Sequence, residues 1–527
     1  DIRFSAFSKP VAYILPQWIT PEPEYERKNW NTTMVLPWRP AVRDKLEDFA
    51  AQLSSIEPSS VLFLRRLRSV RIVDHITNRT VNITISCKHH DMQQSTNKIQ
   101  ERTLIANGEE SRWLMVEKTL MNLLQQRKGQ RVAQTTVSLA FPVGSDDAAI
   151  TARQCSAYAL LPVQQIPFNF AVNGDFITTA SRESIDSDSP WNQLLRSALA
   201  NLFVATLQGI FVPSSTLLAT TWPRYLPLQN KTTSLSHSAF FDAMTGLITE
   251  RVATLACVPV ISLSSGMAHE AFVIPARARS CTNAELRDLL DSVSEHWNFD
   301  LVRRDVPEDC AVALHTLGVA ELDAPGIVAL LHNISCDSAQ TYPVNWLARL
   351  FVYLGTQFHS DARVRSQLAL IQSSRFIPVQ NGSFAVVTDK PSPRFFVDTH
   401  NQPIAATGSE DECIVSASLF SEAANDDARA TISTFLQAIG VRGCSEHAYF
   451  TEIVVKQLEA SSATEDNTIL LDGLAKHFVG CSLCQSDTHL VEKLRRCISV
   501  RCTCGSSFLI QNGVHFALQD GTNGLAE

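Results

Sequence analysis

Two short clusters in this sequence carry residue types able to do chemistry. The first is Ser181-Arg182-Glu183, which lies between strand-like sequence ending near Ile177 and a helix signal at Pro190. An arginine on a loop between a sheet and a helix can reach outward with five donors and grip a phosphate bidentately. The alternative is a structural arginine paired with Glu183, Asp186 or Asp188. The second cluster is Cys481-x-x-Cys484, followed by His489, Cys497 and Cys502-x-Cys504. Thiolates at such spacing can complete a tetrahedral zinc site, which makes Cys481, Cys484, Cys502 and Cys504 the candidate ligands. Reduced cysteines at a module edge are the alternative. The sequence has no phosphate-cradling glycine loop, no metalloprotease helix motif and no G-x-S-x-G elbow. The chain is therefore not expected to hold a complete catalytic site of its own, and whether it belongs to an enzyme is left open.

The 527 residues are too many for one hydrophobic core, so about two to four domains are expected. Hydrophobic residues at 45% and charged residues at 19% are ordinary for globular protein. Apolar runs such as 327–331 fall far short of the ~18 residues a membrane helix needs, so no membrane partner is expected. Lys plus Arg is 45 against 53 for Asp plus Glu, and a net charge of −8 argues against nucleic acid, which calls for a basic face. The 13 cysteines are odd in number and mostly scattered singly in apolar contexts. Reduced, buried thiols in a cytoplasmic or nuclear protein are the natural reading. The chain opens at Asp1 with strand-like sequence and reads as part of a longer protein.

The elements that must position these residues follow from periodicity. Residues 11–14 and 32–36 are short β-type runs, and Pro40 opens a helix with Val42, Leu46, Phe49 and Leu53 on one face. Residues 76–180 read as a sheet, since Val81, Ile83 and Ile85, then Val137, Leu139 and Phe141, alternate with polar residues. A helix then starts with Ser189 as cap and Pro190 in its first turn. Trp191, Leu194, Leu195, Ala198, Leu199, Leu202 and Phe203 form its apolar stripe. Further on, two landmarks recur in order. Leu317-Gly318-Val319 returns as Ile439-Gly440-Val441, 122 residues later, and Gln380-Asn381-Gly382 returns as Gln511-Asn512-Gly513, 131 residues later. Helix-rich modules, each closing with a small hairpin at an Asn-Gly turn, are expected.

The segment 167–192, with Ser181-Arg182-Glu183 and Asp188-Ser189-Pro190-Trp191-Asn192, resembles the sacsin and NO VEIN family of giant proteins. Ile14-Leu15-Pro16-Gln17-Trp18-Ile19, Thr33-Met34-Val35-Leu36-Pro37, residues 56–64 and Val137-Ser138-Leu139-Ala140-Phe141-Pro142 are similar landmarks. In that family an ATPase module like that of the ninety-kilodalton heat-shock chaperone precedes long helical regions. The resemblance implies an α+β chain in five parts. Residues 1–75 would end a GHKL-type α/β sandwich, and 76–215 would be a middle-domain-like α/β coupling domain. A helix-rich linker at 216–305 would lead to helical repeat modules at 306–430 and 431–527.

It also implies that Arg182 is delivered, with Ser181 and Glu183, to the γ-phosphate of ATP held with Mg by an upstream pocket, and that Thr32 lies near the adenine. The family's chaperone pattern has a Gln four residues after that arginine, where this chain has Asp186, a departure that does not suit a phosphate. The implied role is to couple ATP binding to helical modules that contact protein clients, co-chaperones or further copies of the chain. The rival role is a non-catalytic scaffold with a degenerate ATPase module.

Overall fold

Alternating apolar residues make the largest element of the fold, an eight-stranded sheet. The computed structural model describes residues 2–6, 14–18, 48, 56–64, 66–74, 78–89, 97–123, 127–150, 155–228, 239–262, 269–292, 299–335, 342–397, 413–460, 468–501 and 507–509. Strands β1 (Ile2–Ala6) and β2 (Ile14–Trp18) pair antiparallel. Thr32, the run 32–36 and nearly all of the helix expected from Pro40 lie outside the described residues.

The large sheet comprises β3 (Ser69–Asp74), β4 (Arg79–His89), β5 (Asn97–Ala106), β6 (Glu109–Met121), β7 (Gln134–Val143), β8 (Cys155–Ala159), β9 (Leu161–Ile166) and β10 (Ala171–Asn173). Its spatial order is β3-β4-β5-β6-β7-β10-β8-β9. β3 to β7 form an antiparallel meander, and β10 then pairs antiparallel with β7 and parallel with β8. Asn107 and Gly108, at φ 53° and 90°, turn β5 into β6 in two residues, the geometry whose twist matches that of flanking strands.

The helix Pro190–Thr206 lays its apolar stripe on this sheet, with Trp191, Leu195, Leu199, Leu202 and Phe203 all buried. It continues through a π-turn to Phe211, giving 22 residues long and apolar enough, by length and composition, to cross a membrane. The expectation that apolar stretches fall short of that length is corrected here. The helix is packed between the sheet and the helix Ala239–Val252. Phe141, fully buried, is the hub: its ring lies 5.2 Å from Phe170, 5.1 Å from Phe211, 5.0 Å from Tyr225 and 6.0 Å from Phe203.

This core runs from Val61 to Val319, without a break at residues 75 or 215. The sheet takes in β3 from the segment expected to end the preceding domain, and the stretch 216–305 is not only helical. The helix Ala239–Val252 packs on Pro190–Thr206, and then Val258–Ser262, His269–Val273, Ala278–Ser280 and Asp300–Val302 join Ala320–Glu321 in a five-stranded mixed sheet. Two further cores follow, one drawn from Leu286 to Val441 and one from Phe396 to Leu494.

The two later modules share an order of elements. Gly318 and Gly440 stand at φ 98° and 105°. Val319 N donates to Leu314 O at 3.0 Å, and Val441 N donates to Leu436 O at 2.8 Å, so both helices close with the same left-handed turn. A strand follows at Ala320–Glu321 or Arg442–Ser445. The first module continues with helices Ala324–Ser335, Val344–Ser360, Ala362–Arg365 and Leu368–Ser373, then strands Ile377–Pro378 and Phe384–Ala385. The second continues with one helix that runs through Glu446–Tyr449, a π-turn at Phe450–Val454 and Val455–Ala460. Helices Thr468–Gly480, Ser482–Ser486 and Thr488–Cys497 follow, then strands Ser499–Arg501 and Ser507–Leu509. Corresponding elements start 120 to 124 residues apart.

The first module's hairpin turns at Gly382, φ 83°, as the Asn-Gly pair implies. The second's register differs from expectation. Phe508 pairs with Val500, so the hairpin is complete by Leu509, ahead of Gln511-Asn512-Gly513, which lies outside the described residues. The 131-residue spacing therefore does not align equivalent positions.

Phe141→Ala is expected to destabilise the first core by about 3–5 kcal/mol, read from denaturant unfolding followed by tryptophan fluorescence. Gly318→Ala and Gly440→Ala should each cost about 1–2 kcal/mol, because a Cβ is strained at positive φ. A neutral result at both glycines would show that the turns re-form without the left-handed residue.

Candidate functional site

Residues 177–186 form a tight excursion from one end of the large sheet. Thr178 and Ile185 bridge antiparallel, Thr179 N donates to Ser184 O at 3.0 Å, and Arg182 N donates to Thr179 O at 3.0 Å. Arg182 sits at the tip with φ 62°, a conformation uncommon outside glycine and asparagine. The Thr179 hydroxyl lies 3.2 Å from that of Ser181 and 3.1 Å from that of Ser184, so the turn is braced from inside. Ser181, Arg182 and Glu183 are all exposed. Among the described residues Arg182 forms no ion pair with Glu183, Asp186 or Asp188, so the alternative of a structural pairing finds no partner there. The Asp186 carboxylate instead accepts from Asp188 N at 3.1 Å, bracing the lead into the helix.

The clamp on this turn comes from the helix that follows it. Asn192 is fully buried. Its Oδ1 accepts from Ile177 N at 2.9 Å, and its Nδ2 donates to Ile177 O and to Asp186 O, both at 2.7 Å. One amide thus ties the two ends of the Arg182 turn together. Trp191 Nε1 adds a bond to Asp175 O at 2.8 Å just upstream. Sequence reading marked Trp191 and Asn192 as landmarks without assigning this work. The signal was present in the Asp-Ser-Pro-Trp-Asn order: a helix start set by Pro190 that buries an amide immediately after a loop, although Ser189, expected as the cap, takes the cap position without a side-chain cap bond.

The segment 56–64 is seated at the same end of the sheet. Tyr158 donates its hydroxyl hydrogen to Ser59 Oγ at 2.9 Å, and the Phe63 ring lies 4.8 Å from that of Tyr158. Gln164 Oε1, on β9, accepts from Ile185 N at 3.0 Å. The turn and the segment leading in from the N-terminal side are therefore both anchored on β8 and β9.

The cysteine cluster is composed differently from its expected ligand set. Cys481 and Cys484 come together at the start of the short helix Ser482–Ser486, but with His447 and His477. Cys502 and Cys504 lie outside the described residues. His489 is exposed on its own helix and does not join the group. His447 Nδ1 lies 3.1 Å from Cys484 Sγ and 3.6 Å from Cys481 Sγ. Burial, reinforced by the neighbouring Cys481, pushes the Cys484 thiol up to about 12. Cys155 and Cys257 are also pushed up to about 12, chiefly by burial, and act as packing residues. None of the cysteines whose side chains are described is disulfide-bonded. His477-x-x-x-Cys481 is one helical turn and was legible in the sequence. His447 was not, because it comes from a separate helix.

No family model matches the chain, and no solved structure matches it. The chain is 23% identical, over an alignment of 572 residues, to Protein NO VEIN of Arabidopsis thaliana. The match covers 98% of this chain and 20% of that protein, so the chain spans about a fifth of the relative's length. The similarity is thus NO VEIN-like; the sacsin and nucleotide-binding parts of the resemblance rest on the sequence landmarks alone.

Proposed function

We infer that this chain is the coupling segment of a NO VEIN-like protein. In this reading Arg182 engages the γ-phosphate of a nucleotide held with Mg by a GHKL-type pocket upstream, with Ser181 and Glu183 shaping the turn and Thr32 near the adenine. The downstream helical modules then present surfaces to protein clients or to further copies of the chain, in the cytoplasm or nucleus. The observation that supports it most is the combination at Arg182: an exposed guanidinium on a left-handed turn whose two backbone ends are held by a buried amide, without an acidic partner among the described residues. A cation carried on a turn that is fixed in advance lowers the reorganisation needed to stabilise phosphoryl-transfer charge.

A second reading, a non-catalytic scaffold, is favoured by a different feature. Leu471, Leu474, Phe478, Val491, Leu494 and Ile498 line most of an open apolar cleft of about 500 Å³ in the last module, a shape suited to a protein segment.

In the protein extended upstream of Asp1, Arg182→Ala is expected to lower ATP turnover ~10²-fold with an unchanged unfolding transition. Asn192→Ala should leave the Ile177 N–H and the Asp186 carbonyl without their partner, cost about 1–3 kcal/mol and speed hydrogen exchange across residues 177–186. ATP turnover per folded molecule that is absent, or indifferent to Arg182→Ala, would favour the scaffold.

A further inference from the structure

We propose that His447, His477, Cys481 and Cys484 form a closed, structural zinc site in the last module, independent of any nucleotide chemistry upstream. One ring nitrogen of each histidine and both sulfurs lie within 4.8 Å of one another. Zn–N near ~2.0 Å and Zn–S near ~2.3 Å place the ligand atoms of a tetrahedral site about 3.3–3.8 Å apart. The cluster therefore closes on an ion through shifts of about 1 Å or less. Two thiolates with two imidazoles suit zinc, and four protein ligands leave no open position for a reacting water.

The second histidine carries the argument furthest. The His477 side chain is only 4% exposed. Its Nδ1 lies 3.3 Å from Glu446 Oε1, while its buried Nε2 has no hydrogen-bond partner in the protein. The ring is held parallel to Phe450, at 15° and 4.4 Å between centroids. A carboxylate on one imidazole nitrogen, with the other left for the metal, is the arrangement that fixes the tautomer and orientation of a zinc-bound histidine. A buried polar nitrogen left without a partner is costly, and an ion would satisfy it.

The other module shows what the site does. Its equivalent corner lies where the helix Val344–Ser360 turns into Ala362–Arg365 beside the start of Ala324–Ser335. There Arg363 pairs with Asp323 at 3.0 Å and with Asp361 at 2.8 Å, and Val364 is fully buried. Asp361 and Cys481 each precede the short helix, and Val364 and Cys484 occupy the same place within it, 120 residues apart. One module thus fastens the corner with an ion pair over an apolar contact. The other fastens it with zinc, joining Glu446–Tyr449 to Thr468–Gly480 and Ser482–Ser486.

The test uses the full chain, reduced, stripped with chelator and reloaded with Zn²⁺ or Co²⁺. One tightly held zinc per chain is expected by elemental analysis, and Co²⁺ should give intense tetrahedral visible bands with sulfur-to-metal charge transfer. His477→Ala and Cys484→Ser should lose the ion. Glu446→Gln should keep the stoichiometry but weaken binding ~10–100-fold. His447→Cys should keep the ion and add charge-transfer intensity from a third sulfur, a readout that a purely structural role does not move. If His477→Ala fails to fold, the Glu446→Gln affinity and the His447→Cys spectrum decide. A chain that holds no zinc and gives only the weak spectrum of hydrated Co²⁺ would overturn the proposal. So would zinc that survives His447→Ala and His477→Ala but is lost in Cys502→Ser/Cys504→Ser.

Discussion

A fully buried side-chain amide is tolerable only when its bonds are made, and Asn192 makes three of them to the backbone at either end of one turn. Much of what gives the N-terminal half its character depends on that constraint. The amide is buried because Trp191, Leu195 and Leu199 draw the helix onto the sheet, and it is aimed because Pro190 sets the helix start directly after the loop. The loop cannot drift from the sheet without exposing two polar groups to an apolar core. Arg182 is consequently held in an unfavoured backbone conformation at an exposed tip. Backbone strain of this kind persists only where the surroundings over-determine it, and it clusters at functional sites.

Beneath the clamp lies the aromatic hub at Phe141, reached by Phe170 just ahead of β10, from the helix by Phe203 and Phe211, and from the following turn by Tyr225. Tyr225 also donates its hydroxyl hydrogen to Pro142 O. Because these rings come from both sides of the expected boundary at residue 215, the sheet and the elements after it share one core. The later modules are built on another scheme, with smaller cores and polar fastenings at their corners.

Periodicity made much of this legible. The alternation at Val137, Leu139 and Phe141 and the stripe from Trp191 to Phe203 specify a strand and a helix because one face of each must be buried. The five-stranded sheet was hidden, since its strands are only two to five residues long and two of its pairings are parallel, joining segments distant in sequence. The repeat's helix-ending glycines were readable, because only a left-handed residue closes those helices. Its second hairpin was not, because a matching Gln-Asn-Gly further on suggested a turn nine residues out of step with the first landmark. At the metal cluster, the Cys-x-x-Cys pair was visible and His477, one helical turn before it, was legible, but His447 was not. Metal ligands converge through tertiary packing, and the spacing between His447 and His477 carries no local signal.

The proposed coupling requires the Arg182 turn to meet the terminal phosphate of a nucleotide. Photolabelling tests it most directly, using ATP with a photoreactive group on its γ-phosphate and the protein extended upstream of Asp1, followed by peptide mapping. Coupling of this kind gives crosslinks within residues 177–186, competed away by unlabelled ATP and lost when Asn192→Ala frees the turn. Specific crosslinks confined to residues upstream of Asp1, with none in 177–186, would contradict it.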